Sequence, residues 1–343
     1  MEKKKKTTIK DIANLLGITP SAVSKALSNH PRISDKTKLA VQEAVVSLNY
    51  QPNYLSSALR KGKSNLVGLI VPRVNTHFYA SVIENIEAVL NLSGYNVIMA
   101  QTNESYDKEC KSIDALLNIQ VDGIIASIAN ETVDFSYYEK IKENGVPLVL
   151  FDRGENDLEV DYVGIDDYHC SYMIIEHLVK QGYKQISHIT GPSHTRIYNN
   201  RIRGFKDALQ KFNLSFEPDL IIESNLQIED GRRIMTDLLK RDNRPDAVYA
   251  ASDNAALGAL QVLLENGIKV PEEIALVGFG NEPFSSIMRP SISTINQFSA
   301  EIGKQAALAF LDRINFPEKK VTLNKIILEA EFLIRNSSLR KVF

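Results

Sequence analysis

The apolar positions of the first fifty residues recur at helical spacing in short segments. Between Ile9 and Leu16 they fall three and four positions apart, Thr8 stands before them with Asp11 three residues on, and Gly17 follows. Such spacing behind a Thr-x-x-acid arrangement predicts a short helix with a capping box, and the glycine predicts its end.

A second helix is predicted only three residues later. Thr19 can serve as its N-cap, and Pro20 loses no hydrogen bond at the first helical position. One face is polar, with Ser21, Ser24, Lys25 and Ser28. The opposite face is apolar, with Val23, Ala26 and Leu27. Two helices joined by a three-residue turn are typical of a helix-turn-helix.

A third helix is predicted to begin after Ser34, which can cap it. Its apolar residues are expected to complete the core of a three-helix head: Leu39, Val41, Ala44, Val45 and Leu48.

From residue 66 onward, short β-rich runs alternate with amphipathic helical segments. The runs are LVGLIVP, YNVIMAQ, VDGIIAS, PLVLFD, YVGID, QISHITG, DAVYAAS and IALVGFG. Alternation of this kind predicts βαβ units and parallel sheets. Because eight or more strands are more than a single sheet of this kind usually contains, we expect a bilobal body of two doubly wound subdomains. In such folds a ligand lies beyond the carboxyl ends of the strands, and here that edge faces the cleft between the lobes.

The charge balance separates the head from the body. Residues 1 to 65 hold 12 Lys and Arg against 4 Asp and Glu, whereas the remaining residues hold 28 against 38, so a net charge of −2 hides a basic head. Clustered positive charge indicates a module that binds a polyanion, although a solvated lysine tail has the same composition.

Other features exclude several classes of protein. The two cysteines lie far apart and match neither a metal site nor a disulfide framework, which favours a reducing compartment. The N-terminal lysines are followed by no apolar export signal, and no apolar run of 18 residues occurs. GKS at 62–64 lacks the first glycine of a phosphate loop, because Ser57 stands there. Neither HExxH nor GxSxG occurs, so no catalytic residue, metal or cofactor is predicted.

The head resembles the lactose/galactose repressor family of bacterial transcription regulators. The similarity runs through TIKDIANLLGITPSAVSKALSNHPRISDKTKLAVQEAVVSLNYQPNYLSSALR. It implies that the start of the second helix lies in or beside the major groove, with Pro20 and Ser21 at positions where the family varies its base contacts. Lys25 replaces the usual Arg, which favours a phosphate contact over bidentate guanine recognition. The predicted DNA-binding residues of the head are Thr8, Thr19, Pro20, Ser21, Ser24, Lys25, Arg32 and Ser34.

The connector, residues 51–64, is too short to be helical alone. The resemblance implies paired hinge helices in the minor groove, with Leu59 inserted as an apolar wedge. Asn53, Ser57 and Arg60 would then contact the groove or the backbone. The alternative is a flexible linker.

The resemblance continues through GPSHTRIYNNRIRGF and AASDNAALGAL. It implies effector binding by Arg201 and by residues after other strands. The predicted effector-binding residues are Phe78, Tyr79, Asp167, Thr195, Arg201, Leu226, Ser252, Asn281, Glu282 and Gln297. One position departs from the family, since Gly280 stands where a ligand-binding Asp is usual. We expect Asn281 or Glu282 to take over that role.

The resemblance implies a type I periplasmic-binding-protein-like body behind the all-α helix-turn-helix head. We expect a DNA-binding domain at 1–50, a hinge at 51–64 and an effector-binding and dimerisation domain at 65–343. The N-lobe would take about 65–163 and 294–323. The C-lobe would take about 164–293 and 324–343. The residues LRKVF at 339–343 contain no heptad repeat of the kind that joins dimers into a tetramer, so a homodimer is expected.

The predicted function is that of a transcriptional regulator, most simply a repressor, on a pseudo-palindromic operator. Its effector would be a sugar or sugar derivative, with a purine as second choice. We expect a cytoplasmic, nucleoid-associated protein that is not an enzyme and does not bind membranes. A solute-binding protein would share the body, but it would need an export signal and no basic head.

Overall fold

The computed structural model describes residues 7–50, 63–155, 157–316 and 323–340. Contacts divide the chain into two compact units, residues 1–64 and residues 65–343. Four predicted DNA-binding residues, Asn53, Ser57, Leu59 and Arg60, lie outside the described residues, as does most of the predicted hinge.

The head consists of three helices: α1 (Ile9–Leu16), α2 (Pro20–Leu27) and α3 (Asp35–Ser47). Gly17 ends α1 with a left-handed φ of 64°, which glycine adopts without strain. The buried core comprises small and branched residues from all three helices: Ile12, Ala13, Val23, Ala26, Val41 and Ala44.

The predicted caps of the head helices are present. The Thr8 backbone N–H and hydroxyl both donate to the Asp11 carboxylate at 2.7 Å. Thr19 accepts a hydrogen bond from the Ala22 N–H at 3.2 Å, and Ser34 accepts one from the Thr37 N–H at 3.3 Å. Each cap satisfies a backbone donor that has no partner within its own helix.

Two apolar predictions for the head are wrong. Leu39 is 58% exposed and Leu27 is 37% exposed, so neither is a core residue. Three short helices that meet around small side chains cover only a narrow stripe of each helix, and residues at the edge of that stripe stay in contact with solvent.

The N-lobe has a six-stranded parallel sheet of order β11-β5-β4-β3-β1-β2. Its strands are β1 (Leu66–Val71), β2 (Asn96–Gln101), β3 (Gly123–Ala126), β4 (Leu148–Phe151), β5 (Asp161–Ile165) and β11 (Lys325–Leu328). Its helices are α4 (His77–Leu92), α5 (Tyr106–Asn118), α6 (Ser136–Glu143) and α12 (Ser299–Asn315). A Cβ on Gly303 of α12 would collide with the Val82 carbonyl oxygen of α4, so the glycine permits this close helix packing.

The C-lobe has a four-stranded parallel sheet of order β7-β6-β8-β9. Its strands are β6 (Ile186–Thr190), β7 (Ile221–Glu223), β8 (Ala247–Ala250) and β9 (Ala275–Val277). Its α-helices are α7 (Asp167–Lys180), α8 (Arg196–Lys211), α9 (Ile228–Leu239), α10 (Asp253–Glu265) and α11 (Pro283–Ile287), and a 3₁₀ turn spans Pro218–Leu220. All eight strands predicted from the sequence are present in the two sheets, and the two-lobed α/β fold is confirmed.

An antiparallel ribbon of β10 (Thr294–Asn296) and β12 (Glu331–Leu333) joins the lobes. The predicted lobe boundary at residue 324 is wrong, because β11 pairs with β5 and therefore extends the N-lobe sheet. The strand is fixed there by the Asn324 N–H, which donates to the Asp161 carboxylate at 2.7 Å. The chain also leaves the N-lobe slightly later than the predicted residue 163, because β5 of the N-lobe sheet continues to Ile165.

Candidate functional site

The outer face of α2 is the candidate nucleic-acid interface. Pro20, Ser21 and Lys25 are exposed and Ser24 is half-buried, whereas Val23 and Ala26 on the other side are buried. Short side chains allow a helix to come close to base edges, and the lysine supplies a charge for a phosphate.

The other predicted DNA-binding residues of the head lie before or after α2 in the sequence. Thr8, Thr19, Arg32 and Ser34 are all exposed. Thr19 and Ser34 use their hydroxyl oxygens as helix caps.

A second candidate site is a cavity of about 100 Å³ between the two lobes of the body. It lies beyond the carboxyl ends of the strands, where a doubly wound fold places its ligands. Both lobes contribute to its wall, which includes Tyr79 and Arg153 from the N-lobe and Arg201, Asp253 and Glu282 from the C-lobe.

Arg201 forms the deepest ion pair of this cavity. Its Nε and terminal nitrogen donate to one oxygen of Asp167 at 2.9 and 2.8 Å, and its other terminal nitrogen donates to the Ala251 carbonyl at 3.1 Å. The guanidinium also stacks on the Phe279 ring at 3.6 Å. Burial raises the pKa of Asp167 to about 6, against the opposing effect of Arg201. The Asp167 carboxylate, the Ala251 carbonyl and the Phe279 ring thus fix the orientation of the Arg201 guanidinium.

The N-lobe wall begins directly after β4. The Tyr79 hydroxyl donates to Asp152 at 2.9 Å, and burial raises the pKa of this carboxyl. The next residue, Arg153, donates to Glu104 at 2.5 Å and to the Tyr198 hydroxyl at 3.3 Å. Its Nε–H has no hydrogen-bond partner although the side chain is buried.

The C-lobe wall contains a buried carboxylate that holds a loop in place. Asp253 accepts a hydrogen bond from the Glu282 N–H at 2.7 Å and one from the Thr294 hydroxyl at 2.8 Å. Burial raises the pKa of Asp253 to about 7. The Glu282 side chain crosses to the N-lobe, where both of its oxygens accept from the His77 N–H at 3.0 and 3.2 Å.

The structure brings six of the ten predicted effector-binding residues to the cavity: Phe78, Tyr79, Arg201, Ser252, Glu282 and Gln297. Four others lie outside the wall. Asp167 lies behind Arg201, and Thr195 is the N-cap residue of α8. The Leu226 carbonyl accepts from the Ser252 hydroxyl, and the Asn281 side-chain oxygen accepts from Arg335 at 2.8 Å.

Sequence reasoning did not single out Asp152, Arg153, Tyr198 and Asp253, which also line the cavity. The signal for the first two was available, because Asp152 is the last residue of the predicted run PLVLFD and Arg153 directly follows it. Asp253 follows Ser252 and begins α10. Gly280 lines the wall with a φ of 120°, and a Cβ there would lie 3.8 Å from the Gln297 amide nitrogen.

Within the described ranges, no group of three or more His, Cys, Asp or Glu side chains could hold a metal ion. No helix in this part of the chain is both long enough and apolar enough to span a bilayer.

Comparison with known proteins relates both units to one family. Residues 8–53 match the profile described as bacterial regulatory proteins, lacI family. Residues 64–336 match the profile described as periplasmic binding proteins and sugar binding domain of LacI family.

Two relatives from Bacillus subtilis (strain 168) are similar over their whole length. The HTH-type transcriptional regulator DegA is 31% identical over 334 residues, covering 97% of this chain and 98% of the relative. The NTD biosynthesis operon regulator NtdR is 30% identical over 334 residues, with 96% and 99% covered. The crystal structure of the Lac repressor dimer bound to operator and the anti-inducer ONPF has the same fold, with a TM-score of 0.85, 22% identity and coverage of 98% and 100%. The chain therefore belongs to the LacI family of bacterial regulatory proteins, and it is a DNA-binding transcriptional regulator of the LacI type.

Proposed function

We propose that this regulator is a homodimeric repressor that binds a pseudo-palindromic operator through two heads and is controlled by a sugar-like effector in the cleft of the body. It would act in the cytoplasm, associated with the nucleoid, without catalysis or a cofactor. A two-fold dimer reads two half-sites whose spacing follows its symmetry.

The outer face of α2 is the observation that carries the DNA part of this proposal. Exposed Ser21 and Lys25 stand on a helix whose other side packs into the head. We place this helix in the major groove, with the exposed Arg32 near a phosphate. The neighbouring hydroxyls of Thr19 and Ser24 would contribute polar contacts.

The cavity supports a polyhydroxylated effector. Carboxylates and guanidinium groups from both lobes converge on it, and Ser252, Asn254 and Gln297 add further polar groups beside the aromatic rings of Phe78 and Tyr79. Directed polar groups between aromatic walls are suited to a sugar ring. The family profile that matches the body names a sugar-binding domain, which agrees with this chemistry.

The effector would control DNA binding by the head through the relative stability of the open and closed forms of the cleft. Contacts such as the Glu282 carboxylate with the His77 N–H join the two lobes across the cavity. An effector that binds one form better shifts this equilibrium by its differential affinity, typically about 1–3 kcal/mol of coupling.

Selection of duplexes from a random library with the full chain tests the proposal. We expect enrichment of a pseudo-palindrome, a dimer by sedimentation, and an affinity that falls steeply with salt because phosphate contacts release counterions. A solute-binding protein would bind sugars but enrich no duplex. Enrichment of a single half-site by a monomer would contradict the dimer.

A further inference from the structure

Two side chains of the C-lobe reach across the cleft to backbone atoms of the N-lobe. The His194 Nε2 atom lies 2.6 Å from the Asn130 carbonyl oxygen. Because a carbonyl oxygen only accepts, this ring nitrogen carries the proton and donates it. The Glu282 carboxylate accepts from the His77 N–H at 3.0 and 3.2 Å. Groups of the protein itself supply both contacts, so neither contact needs a ligand to complete it.

The two contacts start from different strands of the C-lobe. His194 follows β6 and Glu282 follows β9, and β8 lies between these strands in the sheet. Their partners in the N-lobe follow β3 and β1, which are neighbours in its sheet. Since neighbouring strands lie ~4.8 Å apart, the two side chains come from strands roughly 10 Å apart. Two separated contacts resist twisting as well as opening of the cleft, whereas the lobes could pivot about a single one.

The loop that carries Glu282 is tied to the segments that join the lobes. The Asn281 N–H donates to the Thr294 hydroxyl at 3.1 Å, and the Asn281 side-chain oxygen accepts from Arg335 at 2.8 Å. The Glu282 N–H donates to the buried Asp253 carboxylate at 2.7 Å. Thr294 lies in β10 and Arg335 follows β12, and these two strands form the ribbon between the lobes. The loop therefore holds the Glu282 carboxylate in a fixed place relative to this ribbon.

On the N-lobe, the Glu282 carboxylate caps α4. The His77 N–H stands at the first position of this helix, where an N–H has no acceptor in its own helix, and the Thr76 hydroxyl accepts from the Tyr79 N–H instead. The positive end of the helix dipole adds to the attraction for the carboxylate. This contact is exposed to solvent and the His194 contact is partly buried, so each is weak enough to break by itself.

Two further contacts join the lobes. Arg153 donates to the Tyr198 hydroxyl at 3.3 Å, and the Arg196 guanidinium lies 4.1 Å from the centre of the Tyr162 ring. Arg153 and Tyr162 belong to the N-lobe, whereas Arg196 and Tyr198 lie in α8 of the C-lobe. An open cleft would lose these contacts together with those of His194 and Glu282.

We propose that His194 and Glu282 form a latch that holds the cleft closed through protein contacts alone. The proposal deepens the proposed function and rests on it in one respect, because it takes the same cleft as the entrance for the effector. An effector would then enter while the latch is open, and its association rate would fall with the fraction of molecules that are open.

Hydrogen exchange of the full chain at the His77 amide tests the latch. Because this amide has no acceptor within α4, its protection reports the Glu282 contact and hence the closed cleft. His194→Ala removes the other contact and changes neither partner of this one. We expect the His77 amide to exchange at least about threefold faster in His194→Ala than in the parent chain, as expected for the loss of one hydrogen bond. In Glu282→Ala it should exchange close to the rate of an unprotected amide.

His169→Ala is the matched control, because it removes an exposed histidine from α7 of the same lobe. It should leave the exchange rate of the His77 amide unchanged. The amides of the buried strand β1 show whether each variant is folded, and they should exchange as in the parent chain. Equal His77 rates in His194→Ala and the parent chain would overturn the proposal, as would an unprotected His77 amide in the parent chain. The proposed function would survive both results, because duplex selection tests it separately.

Discussion

The head and the body carry their functional groups in opposite ways. In the head, the groups that would contact DNA stand on the outer face of α2, above a core of six buried residues. In the body, the charged groups that would contact an effector lie inside a cavity, and Arg201 is only 3% exposed. A ligand larger than the domain, such as DNA, is bound at an outer surface, whereas a small ligand can be enclosed in a cavity.

This difference determines what a substitution does. Replacing an exposed group of the head should change DNA affinity with little effect on folding, because surface substitutions usually alter stability by less than about 0.5 kcal/mol. Replacing a buried charge of the cleft should affect both folding and ligand binding, because its partner is left buried and unpaired.

The largest expected effect comes from breaking the Arg201–Asp167 pair. Arg201→Ala should lower the free energy of unfolding of the body by about 3–5 kcal/mol, since it leaves the Asp167 carboxylate buried without a cation. Urea unfolding measures this. Arg203→Ala, an exposed position of the same helix, is the control and should change stability by less than about 0.5 kcal/mol. Equal effects of the two substitutions would contradict the account.

The core of the head should be nearly as sensitive. Ile12 is fully buried, and Ile12→Ala should cost about 2–5 kcal/mol. A core this small supplies only about 3–5 kcal/mol, so the head should unfold at room temperature. Calorimetry should then show the transition of the body unchanged while duplex binding is lost. Leu15→Ala, on the exposed side of α1, should retain duplex binding; loss in both variants would argue against a separate head.

A pH effect distinguishes the cleft from the head. The pKa of Asp253 is raised from 3.8 to about 7 by burial, so the native carboxyl holds a proton that the unfolded chain releases. Its contribution to stability is full below about pH 4 and is lost as the pH rises through about 7, with a slope of up to about 1.4 kcal/mol per pH unit. Asp253→Asn should flatten the fall in stability between pH 6 and 7. An unchanged slope in this variant would show that another group titrates there.

A smaller effect is expected at a helix cap of the head. Ser34→Ala removes the acceptor for the Thr37 N–H and should destabilise the head by about 1 kcal/mol. Chemical denaturation followed by helical circular dichroism measures this. Ser21→Ala is the control, because Ser21 is exposed and caps no helix, and its stability should be that of the parent chain.

The smallest effect concerns the charge of α2. If Lys25 contacts a phosphate, Lys25→Ala should reduce the slope of log affinity against log salt by about 0.9 for each head bound. Fluorescence anisotropy on a selected duplex measures the slope. A loss confined to one base position, with the slope unchanged, would indicate a base contact instead.

The head was predictable because its signals are local. Capping residues such as Thr19 and Ser34 stand directly before the helices that they cap, and the spacing of apolar residues located the buried face of each helix. Periodicity could not give the width of that face. Leu39 has the correct spacing and is still exposed, because the small core of the head covers only a narrow stripe of each helix.

The cleft was predictable in part. The rule that ligands lie beyond the ends of strands located Arg201 and Glu282, and it applies equally to Asp152 and Arg153 after β4. It could not give the direction of a side chain within a tight turn. Leu226 and Asn281 adopt left-handed φ values of 59° and 53°, and each of their side chains lies outside the cavity wall.

Charge placed on the outer face of α2 tests the central claim most directly. Ser21→Asp would bring a carboxylate to the surface that we place against DNA, whereas Gln42→Glu adds the same charge to an exposed position of α3 that we do not place at the contact. On a duplex selected with the parent chain, Ser21→Asp should weaken binding at least 100-fold, about 2.7 kcal/mol, and Gln42→Glu by less than about tenfold. Equal affinities of the two variants would contradict the account.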